Sequence, residues 1–216
     1  MNDSLTILMP CLNEEQTIGI CIQKALSFLK KNNIDGEVLV VDNGSSDKSV
    51  SIIKSFDVRM IAAEQEGYGH ALITGIKNAV GNWIIMGDSD DTYNFENLEG
   101  FVSKLSEGYD IVLGNRFTGK IETGAMPFLH RYIGNPLLSF LGRLFFKVHV
   151  RDFYCGLRAA KKSQLQNLNL ICGGMEFATE MIAKAALHKL SIAEVPITLY
   201  ADKRINATWP AFFKQL

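Results

Sequence analysis

Apolar runs and polar punctuation alternate along the first half of the chain in a way that predicts strands followed by helices. Leu5 to Met9 is a short apolar run and is predicted as a buried strand. Asn13 then occupies the position of a helix N-cap with Gln16 three residues on, predicting a capping box. Ile18, Ile22, Ala25, Leu26 and Leu29 follow at helical spacing and mark one buried stripe. Val38 to Val41 is a second apolar strand. It ends in Asp42-Asn43-Gly44-Ser45-Ser46, a turn expected to cap the helix after it. Val58 to Ala62, Trp83 to Met86 and Ile111 to Leu113 repeat the theme. Strands that are apolar throughout and alternate with helices predict an α/β fold with a mostly parallel sheet covered on both faces.

The second half changes character. Met126 to Val150 is rich in Leu and Phe, carries Arg131, Arg143 and Lys147, and is expected to break at Pro136. Glu176 to His188 is predicted helical, with Phe177, Met181, Ile182 and Ala185 on one face, and Ile192 to Leu199 is predicted as a final strand. Without an internal repeat or low-complexity linker, residues 1–216 are expected to form one domain.

The 216 residues are 47% hydrophobic and 21% charged, which excludes a disordered, collagen-like or coiled-coil chain. A formal net charge of −1 selects no partner class, and no nucleic-acid partner is expected. The distribution is more informative. Residues 1–115 hold 8 Lys/Arg against 17 Asp/Glu, whereas residues 116–162 hold 9 against 2. Cys11, Cys21, Cys155 and Cys172 lack metal-type spacing and are expected to be reduced and to pack. No leader pattern opens the chain, and no run of about 18 uncharged apolar residues is present to span a bilayer.

The sharpest chemical feature is Asp88-Ser89-Asp90-Asp91, directly after the apolar run Trp83 to Met86. Carboxylates at the carboxyl end of a parallel strand face the crevice where such sheets bind ligands. Two acids one residue apart can both reach a hard divalent cation, which takes oxygen ligands and often bridges to substrate phosphates. The alternative is an acidic surface turn. The ends of the first two strands, Pro10 to Glu15 and Asp42 to Ser45, are equally polar, and three polar ends at one sheet edge make a site more readily than three unrelated turns. In residues 126–150, apolar side chains beside Arg143 and Lys147 suit a helix lying in a membrane interface. The alternative is a core helix whose basic residues snorkel outward.

Pro10-Cys11-Leu12-Asn13-Glu14-Glu15, Val40 to Asp47, Gly67-Tyr68-Gly69-His70-Ala71 and Asp88-Ser89-Asp90 together resemble the family-two glycosyltransferases of GT-A fold. Gly114-Asn115-Arg116-Phe117 and Asp152 to Arg158 resemble the branch that glycosylates polyprenyl phosphates, which includes dolichol-phosphate mannose synthases and bactoprenol glucosyltransferases. The resemblance implies an inverting transfer of a hexose from a UDP- or GDP-sugar to a lipid-linked phosphate, at the cytoplasmic face of a membrane. Residues 1–115 would then be the nucleotide-sugar half and 116–216 the acceptor half, continuing into membrane-associated segments.

The same resemblance implies roles residue by residue. Asn13, Glu14 and Asp42 would hold base and ribose, with Pro10, Leu12, Gly44, Gly69 and Ser89 around them. Asp88 and Asp90 would hold Mg²⁺ or Mn²⁺. Arg116 and Arg131 would meet phosphate oxygens, and Arg158, Glu180 and Arg204 would contact substrate. The segment after Arg204, Ile205 to Thr208, lacks the family's usual glycine. An acceptor that is already a phosphate monoester is mostly ionised at pH 7 and needs cations more than a base. A sugar-hydroxyl acceptor would require a carboxylate base, for which Asp152 or Glu180 are the candidates. A non-catalytic nucleotide-sugar-binding module is the reading from another class. A dinucleotide oxidoreductase is disfavoured because no GxGxxG follows the first strand.

Overall fold

A computed structural model describes residues 4–202 and 204. Seven strands, β1 (Leu5–Cys11), β2 (Gly36–Asp42), β3 (Arg59–Ala62), β4 (Trp83–Met86), β5 (Ile111–Ile121), β6 (Arg158–Lys161) and β7 (Ile192–Leu199), form one sheet in the order β3-β2-β1-β4-β6-β5-β7. The first four in that order are parallel, β6 runs antiparallel to both neighbours, and β5 pairs parallel with β7. The helices are α1 (Ile18–Lys31), α2 (Ser49–Ile53), α3 (Tyr68–Asn78), α4 (Glu99–Ser106), α5 (Asn135–Phe146), α6 (Lys162–Asn167) and α7 (Phe177–Leu187).

Alternate residues of β1 feed two cores. Leu5, Ile7 and Met9 pack with α1 and α4 on one face, and Leu8 packs with α3 and α7 on the other. All seven residues of β1 are buried, as expected for a strand covered on both sides. The register places Cys11 beside Asp42, and Met86 beside Arg158, which in turn faces Leu113. The polar segments after β1, β2 and β4 and the Gly114–Arg116 part of β5 therefore come to one edge of the sheet.

Three local expectations need correction, and one strand went unpredicted. Asn13 does not cap α1, which starts at Ile18; it has φ +58°, a left-handed conformation that Asn tolerates better than most residues. Its side-chain oxygen instead accepts the Ser46 and Asp47 backbone N–H groups, at 2.8 and 3.3 Å, across the neighbouring loop. The turn after β2 likewise stops short of α2, whose first amide, Ser49 N–H, is bonded by Asp47. Pro136 does not break the second-half helix. It lies in the first turn of α5, where a missing N–H costs nothing, after a π-helical turn over His130–Gly134. β6 was not expected: Arg-Ala-Ala-Lys lacks the β-branched residues and alternation that signal a strand.

The core-helix alternative for residues 126–150 is also set aside. Within α5 only Ser139 and Gly142 are buried, Gly142 against the Phe153 ring. Phe128, Leu129, Tyr132, Ile133, Leu137, Leu138, Phe140, Leu144 and Phe145 are all exposed. Among the described residues no helix is long and apolar enough to cross a membrane. The aromatic ending, Trp209 to Lys214, and Ile205 to Thr208 lie outside the described residues.

Candidate active site

The loops after β1 and β2 are laced together. Asn43 N–H bonds the Cys11 carbonyl at 2.8 Å. The backbone amides of Asn13, Glu14 and Glu15 donate to Ser45, Ser49 and Asp47 at 2.8 to 3.0 Å. Asp42 turns its carboxylate onto the Gly44 and Ser45 amides at 3.3 Å. Gly44 has φ +92°, a conformation that favours glycine, with open space where a Cβ would point. Leu12 is half-buried beside them. Pro10 and Ser89 meet each other: the buried Ser89 hydroxyl donates to the Pro10 carbonyl at 2.7 Å and ties the end of β4 to the end of β1.

The four residues after Gly87 separate by function. Asp88 accepts the Tyr68 hydroxyl at 2.9 Å. One oxygen of Asp90 accepts from Thr92 N–H and Oγ1 at 3.0 and 2.7 Å. Asp91, at φ +60°, turns away to pair with Lys24 of α1. Burial, reinforced by the charge of Asp90, pushes the Asp88 carboxyl up to about 6. Glu14 is pushed up to about 7, chiefly by burial, which outweighs the attraction of Arg204. Arg204 lies at this crevice, where it binds Glu14 at 2.6 Å, grips Asp202, and lies 3.8 Å from Asp90.

This donor set fits a hard divalent cation shared with a substrate. Among the described residues no group of three or more His, Cys, Asp or Glu could complete a metal site from protein alone. Mg²⁺-type sites usually rest on one or two carboxylates and take their remaining oxygens from phosphates and water. Asp88 and Asp90 are the two carboxylates that would supply such a pair, and a cation beside them would relieve the burial of charge that raises Asp88.

On the other side of the edge, Arg116 and Asp152 form a buried bidentate pair. Arg116 Nε and Nη2 each donate to Asp152 at 2.7 Å, and the Arg116 amide adds a third bond at 3.0 Å. Asp152 is fully buried with both oxygens taken, so it is not placed to act as a base. Glu194 braces this corner, accepting from Asn115 Nδ2 and the amides of Arg151 and Asp152. Arg116 and Arg131 line a cleft of about 350 Å³ together with Phe117, Gly119, Ile121, Tyr132 and Pro136. The Arg131 guanidinium sits 5.3 Å from the Tyr132 ring centroid. A larger groove of about 690 Å³ lies at the opposite end of β4, where Lys161 and Lys162 are already bonded to Asp110 and the Ala79 carbonyl.

Three sequence-predicted contacts are not brought into the crevice. Arg158, buried, donates to the carbonyls of Cys155, Ala178 and Phe153 and is a structural tie. Glu180 clamps the Ile171 and Cys172 amides and pairs with Lys184 at 2.8 Å, bonds that hold its carboxyl below its usual range although burial opposes them. Gly69 donates to the Gly173 carbonyl at 2.8 Å, and a Cβ there would collide with the Cys172 carbonyl. Its role is close packing of α3 against the 172–174 loop. Sequence reading gave no weight to Tyr68, Thr92 or Glu194. Tyr68 lies between the glycines of Gly67-Tyr68-Gly69, and a tyrosine at a helix start carries no sequence signal of a contact 20 residues away. The four cysteines are free, and burial pushes Cys11 up to about 11, in keeping with packing.

A family model described as glycosyl transferase family 2 matches residues 6–168. The low-salt glycan biosynthesis hexosyltransferase Agl6 of Haloferax volcanii is 36% identical over 91% of this chain and 48% of its own length, so the chain spans about half of that relative. A dolichyl-phosphate hexose transferase of the same organism is 33% identical over 90% of this chain and 82% of its own. Among solved structures, glucosyl-3-phosphoglycerate synthase of Mycobacterium tuberculosis, crystallised with phosphoglyceric acid, superposes with a TM-score of 0.75 at 22% identity, over 94% of this chain and 73% of that one. A second crystal structure of that synthase, with Mn²⁺, uridine diphosphate and glucosyl-3-phosphoglycerate, gives 0.73 over the same shares. At that identity the likeness establishes a shared fold, the GT-A arrangement expected from the sequence.

Proposed function

The chain belongs to glycosyl transferase family 2, and from that premise we propose that it transfers a hexose from a nucleotide-diphosphate sugar to a polyprenyl phosphate at a membrane surface. The donor lies over the laced loops, where Asn13, Glu14 and Asp42 present polar groups beside Asp88 and Asp90. A bound Mg²⁺ or Mn²⁺ supplies Lewis-acid stabilisation of the charge that develops on the leaving diphosphate. The relatives' names and the Mn²⁺–uridine diphosphate complex of the structural neighbour support this assignment.

The observation that carries the acceptor class is the 350 Å³ cleft, in which Arg131 and Arg116 stand among Phe117, Ile121, Tyr132 and Pro136. A cation set in an apolar wall matches a phosphate on a hydrocarbon chain. Arg131 meets the phosphate. Arg116, with two of its three guanidinium nitrogens engaged by Asp152, shapes the cleft wall. The cleft opens beside the exposed apolar residues of Phe128–Phe145, where a lipid-linked acceptor would be held. A phosphate monoester brings its own anionic nucleophile. Its oxygen forms the new bond to the anomeric carbon as the bond to the nucleotide diphosphate breaks, with inversion. A saccharide hydroxyl would need a base, and both carboxylates suggested for that role are engaged: Asp152 by Arg116, and Glu180 by Lys184 and two amides.

The test is incubation with radiolabelled UDP- and GDP-hexoses and undecaprenyl or dolichyl phosphate. Label is expected in an organic-solvent-extractable, acid-labile product, and its formation is expected to stop on chelation. Label confined to water-soluble glycan would replace the acceptor. Binding without any turnover would leave a nucleotide-sugar-binding module.

A further inference from the structure

Asp88 is held by a residue that no motif reading assigns a task. Among the described residues the Tyr68 hydroxyl, at 2.9 Å, is the one hydrogen-bond donor to its carboxylate. The other Asp88 oxygen abuts Gly156, where a Cβ would strike it. Gly156 is itself fixed, its amide donating to the Tyr93 hydroxyl at 3.0 Å. The Asp88 side chain is thus gripped between the Tyr68 hydroxyl and the Gly156 backbone.

Tyr68 is delivered there by backbone packing. It is the first residue of α3, after Gly67 at φ +132°. Gly67 N–H donates to Asn43 Oδ1 at 3.0 Å, and the amides of Gly69 and His70 both donate to the Gly173 carbonyl, at 2.8 and 3.2 Å. Side chains at 67 or 69 would collide with the carbonyls of Gly173 and Cys172. The glycines of Gly67-Tyr68-Gly69 therefore seat the start of α3 on the 172–174 loop, and that seating aims Tyr68 at Asp88. An ordinary phenol carries its proton at neutral pH, so the hydroxyl donates to the carboxylate.

We propose that Tyr68 is a positioning residue for the cation, its hydroxyl orienting the Asp88 carboxylate so that divalent-ion affinity at Asp88 and Asp90 depends on the docking of α3. This rests on the reading of those two aspartates as the cation pair. Groups that orient a metal ligand through a hydrogen bond typically account for about 10- to 100-fold in metal affinity.

The experiment titrates the whole chain with Mn²⁺ alone, and again with uridine diphosphate present, following free Mn²⁺ by electron paramagnetic resonance. Tyr68→Phe, which keeps the ring and its packing, is expected to weaken Mn²⁺ binding about tenfold or more. Its ligand-free melting temperature should stay within a few degrees of wild type. Thr6→Val, which also loses a buried hydroxyl but at the far end of β1 from Asp88, is expected to stay within about twofold of wild type, separating orientation from general loss of packing. In an Asp88→Asn background, Tyr68→Phe is expected to add nothing, because coupled residues are non-additive. Equal Mn²⁺ affinity in Tyr68→Phe and wild type overturns the role of Tyr68, as does an equal additional loss in the Asp88→Asn background. If Asp90→Asn binds Mn²⁺ as wild type does, the cation-pair reading itself falls, and this inference with it. If Asp90→Asn loses binding while Tyr68→Phe keeps it, only the role of Tyr68 falls.

Discussion

Replacing Phe128 and Phe145 together with serine removes two of the most exposed aromatic side chains from the apolar face of residues 128–145. They are 70% and 73% exposed, so they contribute little to the folded chain and most of their burial remains to be gained elsewhere. Full burial of such a side chain is worth about 1.5–3 kcal/mol, so each has about 1 kcal/mol or more left to gain against lipid. The pair then contributes about 2 kcal/mol, or roughly a thirtyfold change in vesicle partitioning at 1.4 kcal/mol per tenfold. Lys147, exposed at the end of α5, and Arg131 add electrostatic attraction of about 1 kcal/mol each near an anionic surface, screened over about 8 Å at physiological ionic strength. Arg143 is a poorer probe because it also contacts the Val150 carbonyl and the Phe140 ring. The assay is flotation with phosphatidylglycerol vesicles at two salt concentrations, alongside thermal unfolding. Wild type is expected to float and to release partly in salt. The double variant should stay largely in solution with its melting temperature little changed, since exposed substitutions usually shift stability by about 0.5 kcal/mol or less. Wild type that fails to float, or a double variant that floats as well as wild type, would refute the membrane role of this face. A double variant that unfolds would show that the exposed rings are structural.

Three further outcomes follow from the site. Asp90→Asn is expected to abolish most transfer and most Mn²⁺ binding while the chain stays folded, because an amide is a weaker ligand for a hard cation; turnover unchanged at ordinary Mn²⁺ contradicts it. Asp152→Asn leaves a buried Arg116 uncompensated and should cost about 3–5 kcal/mol in denaturant unfolding, whereas a base-only role would leave stability unchanged. Glu14, raised from 4.5 to about 7, binds more protons folded than unfolded between those values, so its contribution to ligand-free stability is lost as pH rises from about 4.5 through 7. Glu14→Gln should flatten that slope in thermal melts recorded across the range.

The fold was legible where apolar runs have sharp polar ends. Trp83 to Met86 and Ile192 to Leu199 match the observed strands β4 and β7 residue for residue, since nothing at their borders competes with the pattern. β6 escaped because its pairing between β4 and β5 is imposed by tertiary contact on four residues with no strand preference. Asn13 illustrates a different limit. Its residue type suits both an N-cap and a left-handed loop residue, and the choice is made by amides 33 and 34 positions away.

Charged residues were legible as chemistry but not as individuals, because a carboxylate's task is set by its partners. Asp88, Asp90 and Asp91 are adjacent, yet Lys24 takes Asp91 out of the crevice. Asp152 and Glu180 carry the same functional group as Asp88, yet their oxygens are spent on Arg116, Lys184 and backbone amides. The direction of the pKa shifts sorts them. Hydrogen bonds and Lys184 already satisfy the charge of Glu180, and its carboxyl is held low; Asp88 and Glu14 are held high because burial and a neighbouring acid leave their charge undercompensated. An acid whose fold disfavours its own charge gains most from an arriving cation, and a strongly shifted group at a strand-end crevice is a marker of ligand chemistry. In the function proposed above, Asp88 and Asp90 are the carboxylates that a diphosphate-bound metal would complete, whereas Asp152 and Glu180 are already paired with cations of the chain itself.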